Sequence, residues 1–349
     1  MKFTKTSLTM IIRSKAPLRL GLAGGGTDVS PYSDIYGGAV LNATISLYAY
    51  ATIEPGSGNK IIIRSVDKNT TIELSSSGNL EIDGKLDLIK GVYNRVIKDY
   101  KLPPQSFTIT TYVDVPAGSG LGTSSTVVTA VLGAFTEWLK LPLGEYDLAK
   151  LAYDIERNDL GMAGGKQDQY AATFGGVNFM EFFDKGKVIV NPLRVKDQIL
   201  NELSNNIILF YTKTSRISSA IIAKQQKNVN EGSLKSVEAM HKIKDLAVKM
   251  KESILKGELD MMGELLNLSW EYKKQMADGI TNPQIDLIYE AALKAGAKGG
   301  KISGAGGGGF MFFYCPGVNR YKVIKALEKF GGIARRYEFT KQGLETWIY

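Results

Sequence analysis

Pro116-Ala-Gly-Ser-Gly-Leu-Gly-Thr-Ser-Ser-Thr126 is the segment on which the fold turns. A strand-like run, Ser106–Val113, precedes it, and a long helical pattern, Thr123–Lys140, follows. Strand, glycine turn and helix N-terminus in that order make an anion site. The first amides of a helix have no partner within it, and residues without Cβ let phosphate oxygens come close. Gly118, Gly120 and Gly122 sit where that approach is needed, and Thr123, Ser124 and Ser125 offer hydroxyls to cap the helix or to reach a metal ion on the phosphates. The loop is not of the Walker A type, because no Gly-Lys in the chain is followed by Ser or Thr.

Outward from this loop, Glu156-Arg-Asn-Asp-Leu-Gly-Met-Ala-Gly-Gly-Lys-Gln-Asp-Gln-Tyr170 sets two carboxylates on either side of a glycine turn. Glu156 ends a helical pattern that starts at Glu145, and Asp168 opens a short new one. One carboxylate suits Mg2+, which prefers oxygen ligands and phosphate. The other suits orienting or deprotonating a hydroxyl for phosphoryl transfer. The plainer alternative is an N-cap Asp and a solvated Glu. Upstream, Ala16-Pro-Leu-Arg-Leu-Gly-Leu-Ala-Gly-Gly-Gly-Thr-Asp28 places Arg19 within an apolar strand pattern, where a cation calls for an anionic partner. Asp28 closes the glycine turn, as an acceptor for sugar hydroxyls or as a cap for its own backbone. Downstream, Lys301–Phe310 contains Gly304-x-Gly306-x-x-Gly309, the dinucleotide fingerprint by letter. That fingerprint needs a helix after the glycines. Phe310–Tyr314 is a strand-like run instead, so the loop is read as one that closes between two strands over a nucleotide or sugar.

Composition narrows the chemistry. The 349 residues include 38 glycines but a single histidine, His241, and a single cysteine, Cys315. Two such ligands cannot build a Cys/His zinc site, and one cysteine forms no internal disulfide. What remains is chemistry by carboxylates, hydroxyls, Lys, Arg and backbone amides. No apolar stretch reaches the ~18 residues of a transmembrane helix, and no signal-peptide core is present. With one free cysteine, a reducing cytoplasm is the expectation. The net charge of +8 suits phosphorylated small molecules, and no basic run is interleaved with aromatics as in single-strand binders. Neither nucleic acid nor a membrane is expected as a partner, and a homo-oligomer stays open. Strand patterns dominate up to Pro192 (Leu18–Leu22, Ala39–Ile53, Lys60–Val66, Thr70–Leu74), and helices dominate after it. Strands recur at Ile207–Thr212, Lys298–Ser303, Phe310–Cys315 and Ala334–Phe339. Two α+β domains are expected, residues 11–192 and 193–349.

In this order, the four segments resemble the GHMP kinase superfamily. Pro116–Ser125 is similar to its Pro-x-x-x-Gly-Leu-Gly-Ser-Ser phosphate loop, with Thr123 in place of the first Ser. Lys301–Phe310 resembles its C-terminal glycine motif, Gly164-Gly-x-x-Asp168-Gln169 the segment with the catalytic Asp, and Ala16-Pro-x-Arg19 its N-terminal motif. The resemblance spans about residues 11–339. It implies an N-terminal domain like ribosomal protein S5 domain 2 and a helix-rich, ferredoxin-like C-terminal domain.

It further implies Asp168 as the catalytic acceptor and Arg19 as the cation beside the transferred charge. Pro116, Gly118, Ser119, Gly120, Leu121, Gly122, Thr123, Ser124 and Ser125 would form the ATP loop, with Ser124 and Glu156 as Mg2+ ligands. Gly25, Gly26, Thr27 and Asp28, with Gly306 and Gly307, would surround the sugar. Gly24-Gly-Gly-Thr-Asp28, followed by Pro31-Tyr32 and Tyr36-Gly-Gly38, resembles heptose 7-phosphate kinases and the kinase part of L-fucokinases more than galactokinases. Chain length favours the former. The implied reaction moves phosphate from ATP to the anomeric C1 hydroxyl of heptose 7-phosphate, giving a 1,7-bisphosphate for nucleotide-activated heptose and surface glycans. The alternatives are a kinase for an unphosphorylated sugar and a non-catalytic sugar sensor. No motif marks the 7-phosphate site, and Lys166 and Arg216 are the first cations to test for it.

Overall fold

The structure is a computed structural model and describes residues 10–214 and 218–349. The chain begins with a long antiparallel pair, β1 (Ile12–Ala23) and β2 (Gly38–Pro55), joined through the short helix α1 (Tyr32–Tyr36). β2 is long enough to serve two partners on its far side. Its first half pairs with β6 (Val177–Phe182) and its second half with β5 (Phe107–Val113). β3 (Lys60–Ser65) runs parallel to β5, β4 (Thr70–Ser75) pairs with β3, and β7 (Val188–Pro192) pairs with β6. Four helices cover this sheet: α2 (Asp87–Asp99), α3 (Thr123–Leu139), α4 (Glu145–Asp154) and α5 (Gln167–Phe174). In α2 the buried Ile89, Val92, Tyr93, Val96 and Ile97 repeat at helical spacing and face the sheet. α3 is apolar nearly all round from Val127 to Phe135 and lies against β1 and β2, with α2, α4 and α5 around it.

The second unit holds α6 (Asp197–Asn206), β8 (Ile207–Tyr211), α7 (Ser218–Asn230), α8 (Leu234–Lys256), α9 (Met262–Met276) and α10 (Pro283–Ala295). β9 (Gly299–Ile302), β10 (Phe310–Tyr314), α11 (Arg320–Glu328) and β11 (Ile333–Arg335) complete it. Its sheet is antiparallel in the order β11-β8-β10-β9. α9 packs on β9 and on α8, and α8 also reaches β1 and β2, so the units share a long contact.

The chain's end departs from expectation. The strand expected at Ala334–Phe339 stops at Arg335, and the chain then crosses back to the first sheet. There β12 (Glu345–Ile348) pairs with β1 from Ile12 to Lys15 as an edge strand. Residues 339–348 therefore belong to the first sheet and not to the second unit. Local pattern does not reveal this, because β12 is half exposed and its partner lies at the other end of the sequence. A second difference lies at Ile155–Asp159, where the helix expected to run on from Glu145 widens into a π-helical turn that carries Glu156. Such widened turns are frequent at functional sites.

Candidate active site

The two units enclose a cavity of about 780 Å³. β1 and the turn after it supply Arg19, Gly25, Gly26 and Asp28, and the loop before α3 supplies Gly118–Gly120 and Gly122–Ser125. The π turn adds Glu156, α5 adds Asp168, and the second unit adds Lys273, Lys301 and Gly304.

Arg19 ties these parts together. Its Nε and Nη2 both meet Asp168 Oδ1 at 2.7 Å, leaving Oδ2 outside the ion pair. Nη1 donates to the Gly120 carbonyl at 2.9 Å and to Ser303 Oγ at 3.4 Å. Ser303 Oγ in turn donates to the same Gly120 carbonyl at 2.9 Å. The carboxylate, the phosphate loop and the C-terminal glycine loop thus share one planar cation. Gly120 has φ +79°, and a Cβ there would lie 2.5 Å from the Ser303 carbonyl. Only glycine lets the two loops close to this distance.

The hydroxyls expected to cap α3 do other work. Gly122 stands at the N-cap and no side chain caps the helix. Thr123 Oγ1 shares a hydrogen bond with Ser119 Oγ, and Ser124 Oγ donates to Glu156 Oε1 at 2.9 Å. The first-turn amides of α3 are left for a ligand, as anion binding requires. Glu156 is fully buried, and Gln169 Nε2 donates to its Oε2. A buried carboxylate beside a loop hydroxyl is a hard-oxygen pair. No cluster of three His, Cys, Asp or Glu suited to a metal exists among the described residues. The pair therefore fits an ion that keeps waters and phosphate oxygens in its shell, and not an all-protein cage.

Asp28 is buried and pinned by three donors at 3.1 Å: the Gly26 amide, the Gln167 amide and Gln167 Nε2. Its position is set before any ligand arrives.

Other expected residues stand off the cavity wall. Pro116 is exposed beside the loop, and Leu121 is buried in the core with its carbonyl accepting from the Arg19 amide. Thr27 Oγ1 donates to the Gly24 and Ala39 carbonyls and so fixes the turn from behind. Gly304 and Ala305 line the cavity, whereas Gly306 and Gly307 pack on Ile280. Lys166 is a correction: its Nζ points away from the cavity and is held by Ser33 Oγ at 3.0 Å and Asp34 Oδ1 at 2.8 Å. Arg216 lies outside the described residues. Sequence reasoning missed Lys273 and Gln167, and it missed a second cavity of about 390 Å³ next to the loop. That cavity shares Gly118, Thr123 and Ser124 with the first and has an apolar wall of Leu86, Ile89, Val113, Val127 and Leu160, with Asp67 and Asp87 at its margin.

Residues 87–176 match the family model "GHMP kinases N terminal domain", and residues 250–333 match "GHMP kinases C terminal". The D-glycero-alpha-D-manno-heptose 7-phosphate kinase of Campylobacter jejuni is 51% identical over 336 residues, covering 96% of this chain and 98% of that relative. The chain is a GHMP kinase. This kinase also superposes on the crystal structure of a D-glycero-D-manno-heptose 1-phosphate kinase from Bacteroides thetaiotaomicron with a TM-score of 0.83 at 48% identity, covering 96% and 98% of the two chains. The L-fucokinase/L-fucose-1-P guanylyltransferase of Bacteroides fragilis is 26% identical over 86% of the kinase but only 34% of that longer relative. The kinase has the GHMP fold of N- and C-terminal domains and belongs among phosphotransferases with an alcohol acceptor. None of its described helices is long and apolar enough to cross a membrane.

Proposed function

We propose that this kinase transfers the γ-phosphoryl group of ATP to the anomeric C1 hydroxyl of D-glycero-D-manno-heptose 7-phosphate, giving the 1,7-bisphosphate and ADP. One observation carries the reading. Arg19 holds Asp168 against the phosphate loop in the same cavity as the pinned Asp28 turn. The 51% identity to the heptose 7-phosphate kinase supports the choice of sugar. The product would feed the making of nucleotide-activated heptose for surface glycans, in the cytoplasm.

In this reading the triphosphate lies on the amides of Gly118–Ser125, at the uncapped N-terminus of α3. The purine enters the apolar second cavity, and Asp67 or Asp87 meets the ribose. Ser124 and Glu156 would hold Mg2+, which when bound neutralises charge on the β- and γ-phosphates. Asp28 accepts from the sugar hydroxyls, and the turn amides donate to sugar oxygens. Asp168 Oδ2, the oxygen that Arg19 leaves outside the pair, accepts the C1 O–H and takes its proton as the bond from O1 to Pγ forms. The bond from Pγ to the β,γ-bridging oxygen breaks, and the electron pair leaves with ADP. Arg19 and the loop amides stand where charge gathers on the equatorial oxygens, so catalysis is mainly positioning and electrostatics.

ADP release across heptose 7-phosphate, heptose 1-phosphate, free heptose, L-fucose and galactose, with the product position read by phosphorus NMR, tests the substrate. Highest kcat/KM on heptose 7-phosphate with a new signal at C1 is expected. Higher kcat/KM on a free sugar would refute the assignment and favour the fucokinase-like alternative. Asp168→Asn is expected to abolish turnover and leave ATP binding intact by calorimetry, and near-normal turnover would refute its role.

A further inference from the structure

A sugar that already carries a phosphate needs a second anion site, and of the two cations expected to form it only Lys166 is among the described residues. Lys166 is engaged with Asp34 on the far side of its helix, and Arg216 lies outside the described residues. Among the described residues, four other cations line the cavity: Arg19, Arg157, Lys273 and Lys301. Arg19 is committed to Asp168 and Gly120. Arg157 stands beside Glu156, on the loop side, and donates to the Met162 and Gly165 carbonyls. Lys301 donates to the Gly21 and Leu22 carbonyls at 3.0 and 3.4 Å with its ammonium over the Phe312 ring, and so fastens β9 to β1.

Lys273 is different. It sits on the buried stripe of α9, between Trp270 and Met276, where helical spacing calls for an apolar residue. The side chain is buried and lines the cavity, yet among the described residues Nζ has only one long hydrogen bond, 3.4 Å to the Gly25 carbonyl of the sugar turn. An ammonium has three donors, and a buried charge without a partner is costly. Burial pulls the group down to about 8, with Asp28 opposing and Arg19 reinforcing the shift. The nearby carboxylates are held by other donors, Asp28 by its three and Asp168 Oδ1 by Arg19, and among the described residues neither pairs with Lys273. Across the same turn lies Gln225 of α7, also buried on an apolar stripe between Ile221 and Val229. Its Nε2 is fully enclosed without a partner among the described residues, although the side chain lines the cavity. Lys273 Nζ and the Gln225 side-chain amide, whose Oε1 lies nearest Gly26, thus both stand beside the sugar turn, on the wall that the second unit supplies.

We propose that Lys273 and Gln225 bind the non-reacting phosphate of the substrate and thereby set the preference for a phosphosugar over a free sugar. This rests on the reading that the acceptor is a sugar phosphate. The site is built before the ligand comes, since the cation is already out of water and held by the packing of α9. A phosphate dianion gives Lys273 the counter-charge it lacks and, with the Gln225 amide turned so that Nε2 faces the cavity, gives that amide its acceptor.

The test compares heptose 7-phosphate with free heptose on the wild-type enzyme, Lys273→Met and Gln225→Glu. Met suits the apolar stripe of α9, so Lys273→Met should fold, which a thermal melt checks. Gln225→Glu keeps the size of the side chain and adds a charge that repels phosphate. Losing one charged donor is expected to raise KM for heptose 7-phosphate about 10- to 100-fold, while kcat/KM on free heptose and KM for ATP stay within about threefold. Gln225→Glu should show the same selective loss. An equal loss on both sugars, or an unchanged KM for heptose 7-phosphate in both variants, would overturn the assignment while leaving the substrate reading intact. A wild-type enzyme that prefers free heptose would overturn both.

Discussion

Arg19→Lys separates charge from geometry at the centre of the site. The native guanidinium, with five donors, donates from Nε to Asp168 Oδ1, keeps Nη2 in the ion pair with the same oxygen, and donates from Nη1 to the Gly120 carbonyl and Ser303 Oγ. Its side chain is only 5% exposed, so water cannot replace a lost bond. Lysine keeps the charge but puts all its donors on one atom. That atom can serve Asp168 or the Gly120 carbonyl, but it cannot span both as a fork does. At least one charge-assisted bond is lost, worth about 1.5–3 kcal/mol. A preorganised donor lost from a developing negative charge costs about 2.7–4 kcal/mol, or about 100- to 1,000-fold in kcat. We therefore expect kcat for Arg19→Lys to fall by about that factor. KM for ATP should change less than about tenfold, because the amides of the loop remain. Coupled ADP-release assays give both constants, and a thermal melt shows that the variant is folded. Ser303→Ala is the control: it removes only the 3.4 Å contact to Arg19 and one bond to Gly120, so its kcat should fall less than tenfold by about the same arithmetic. An Arg19→Lys enzyme with kcat within about threefold of wild type would refute the claim that the fork, and not charge alone, holds the site.

Three further outcomes follow from the same geometry. Glu156→Gln keeps the hydrogen bonds of Ser124 and Gln169 within reach but removes the buried charge, so the Mg2+ concentration for half-maximal activity should rise by about tenfold or more. An unchanged Mg2+ titration would count against Glu156 as a ligand. Gly165→Ala would place a Cβ where Asp28 Oδ2 now lies, so the pinned carboxylate must move, and KM for the sugar should rise while KM for ATP holds. Equal effects on both constants would mean that the turn as a whole has collapsed. His241 shares a hydrogen bond with Tyr32, and burial, then Lys244, holds its ring below the usual histidine range. The folded protein thus disfavours the imidazolium that the unfolded chain accepts below about pH 6.5. The stability from this group is present above that pH and is lost as pH falls through the lowered value. Thermal melts from pH 7.5 to 5 should show a steeper decline for the wild type than for His241→Gln, and parallel curves would show that the contact does not couple to protonation.

Much of this site can be read in the sequence because its chemistry sits on local motifs. A glycine loop between strand and helix announces an anion site wherever it occurs, and Asp168 and Arg19 each stand in a short pattern that carries its own context. Closeness to a motif in sequence does not fix where a side chain points, as Lys166 shows. It precedes Asp168 by two residues, and residues two apart on a helix turn about 200° from each other. One side chain faces the cavity while the other faces Asp34. β12 escaped because an edge strand needs only its partner to exist, and that partner is the first strand of the chain. Lys273 and Gln225 escaped for a subtler reason. A lysine in a Lys-rich helix reads as part of a solvated face until its spacing is measured against Leu266, Trp270 and Met276, which places it on the buried side. Gln225 stands between Ile221 and Val229 in the same way. A polar residue at a core position of an amphipathic helix is costly unless it meets a partner. Such a position is therefore evidence for a ligand that pattern alone can raise, but only the fold shows which cavity the side chain enters. Here two helices of the second unit bring such residues beside one glycine turn of the first, a meeting that no local motif announces.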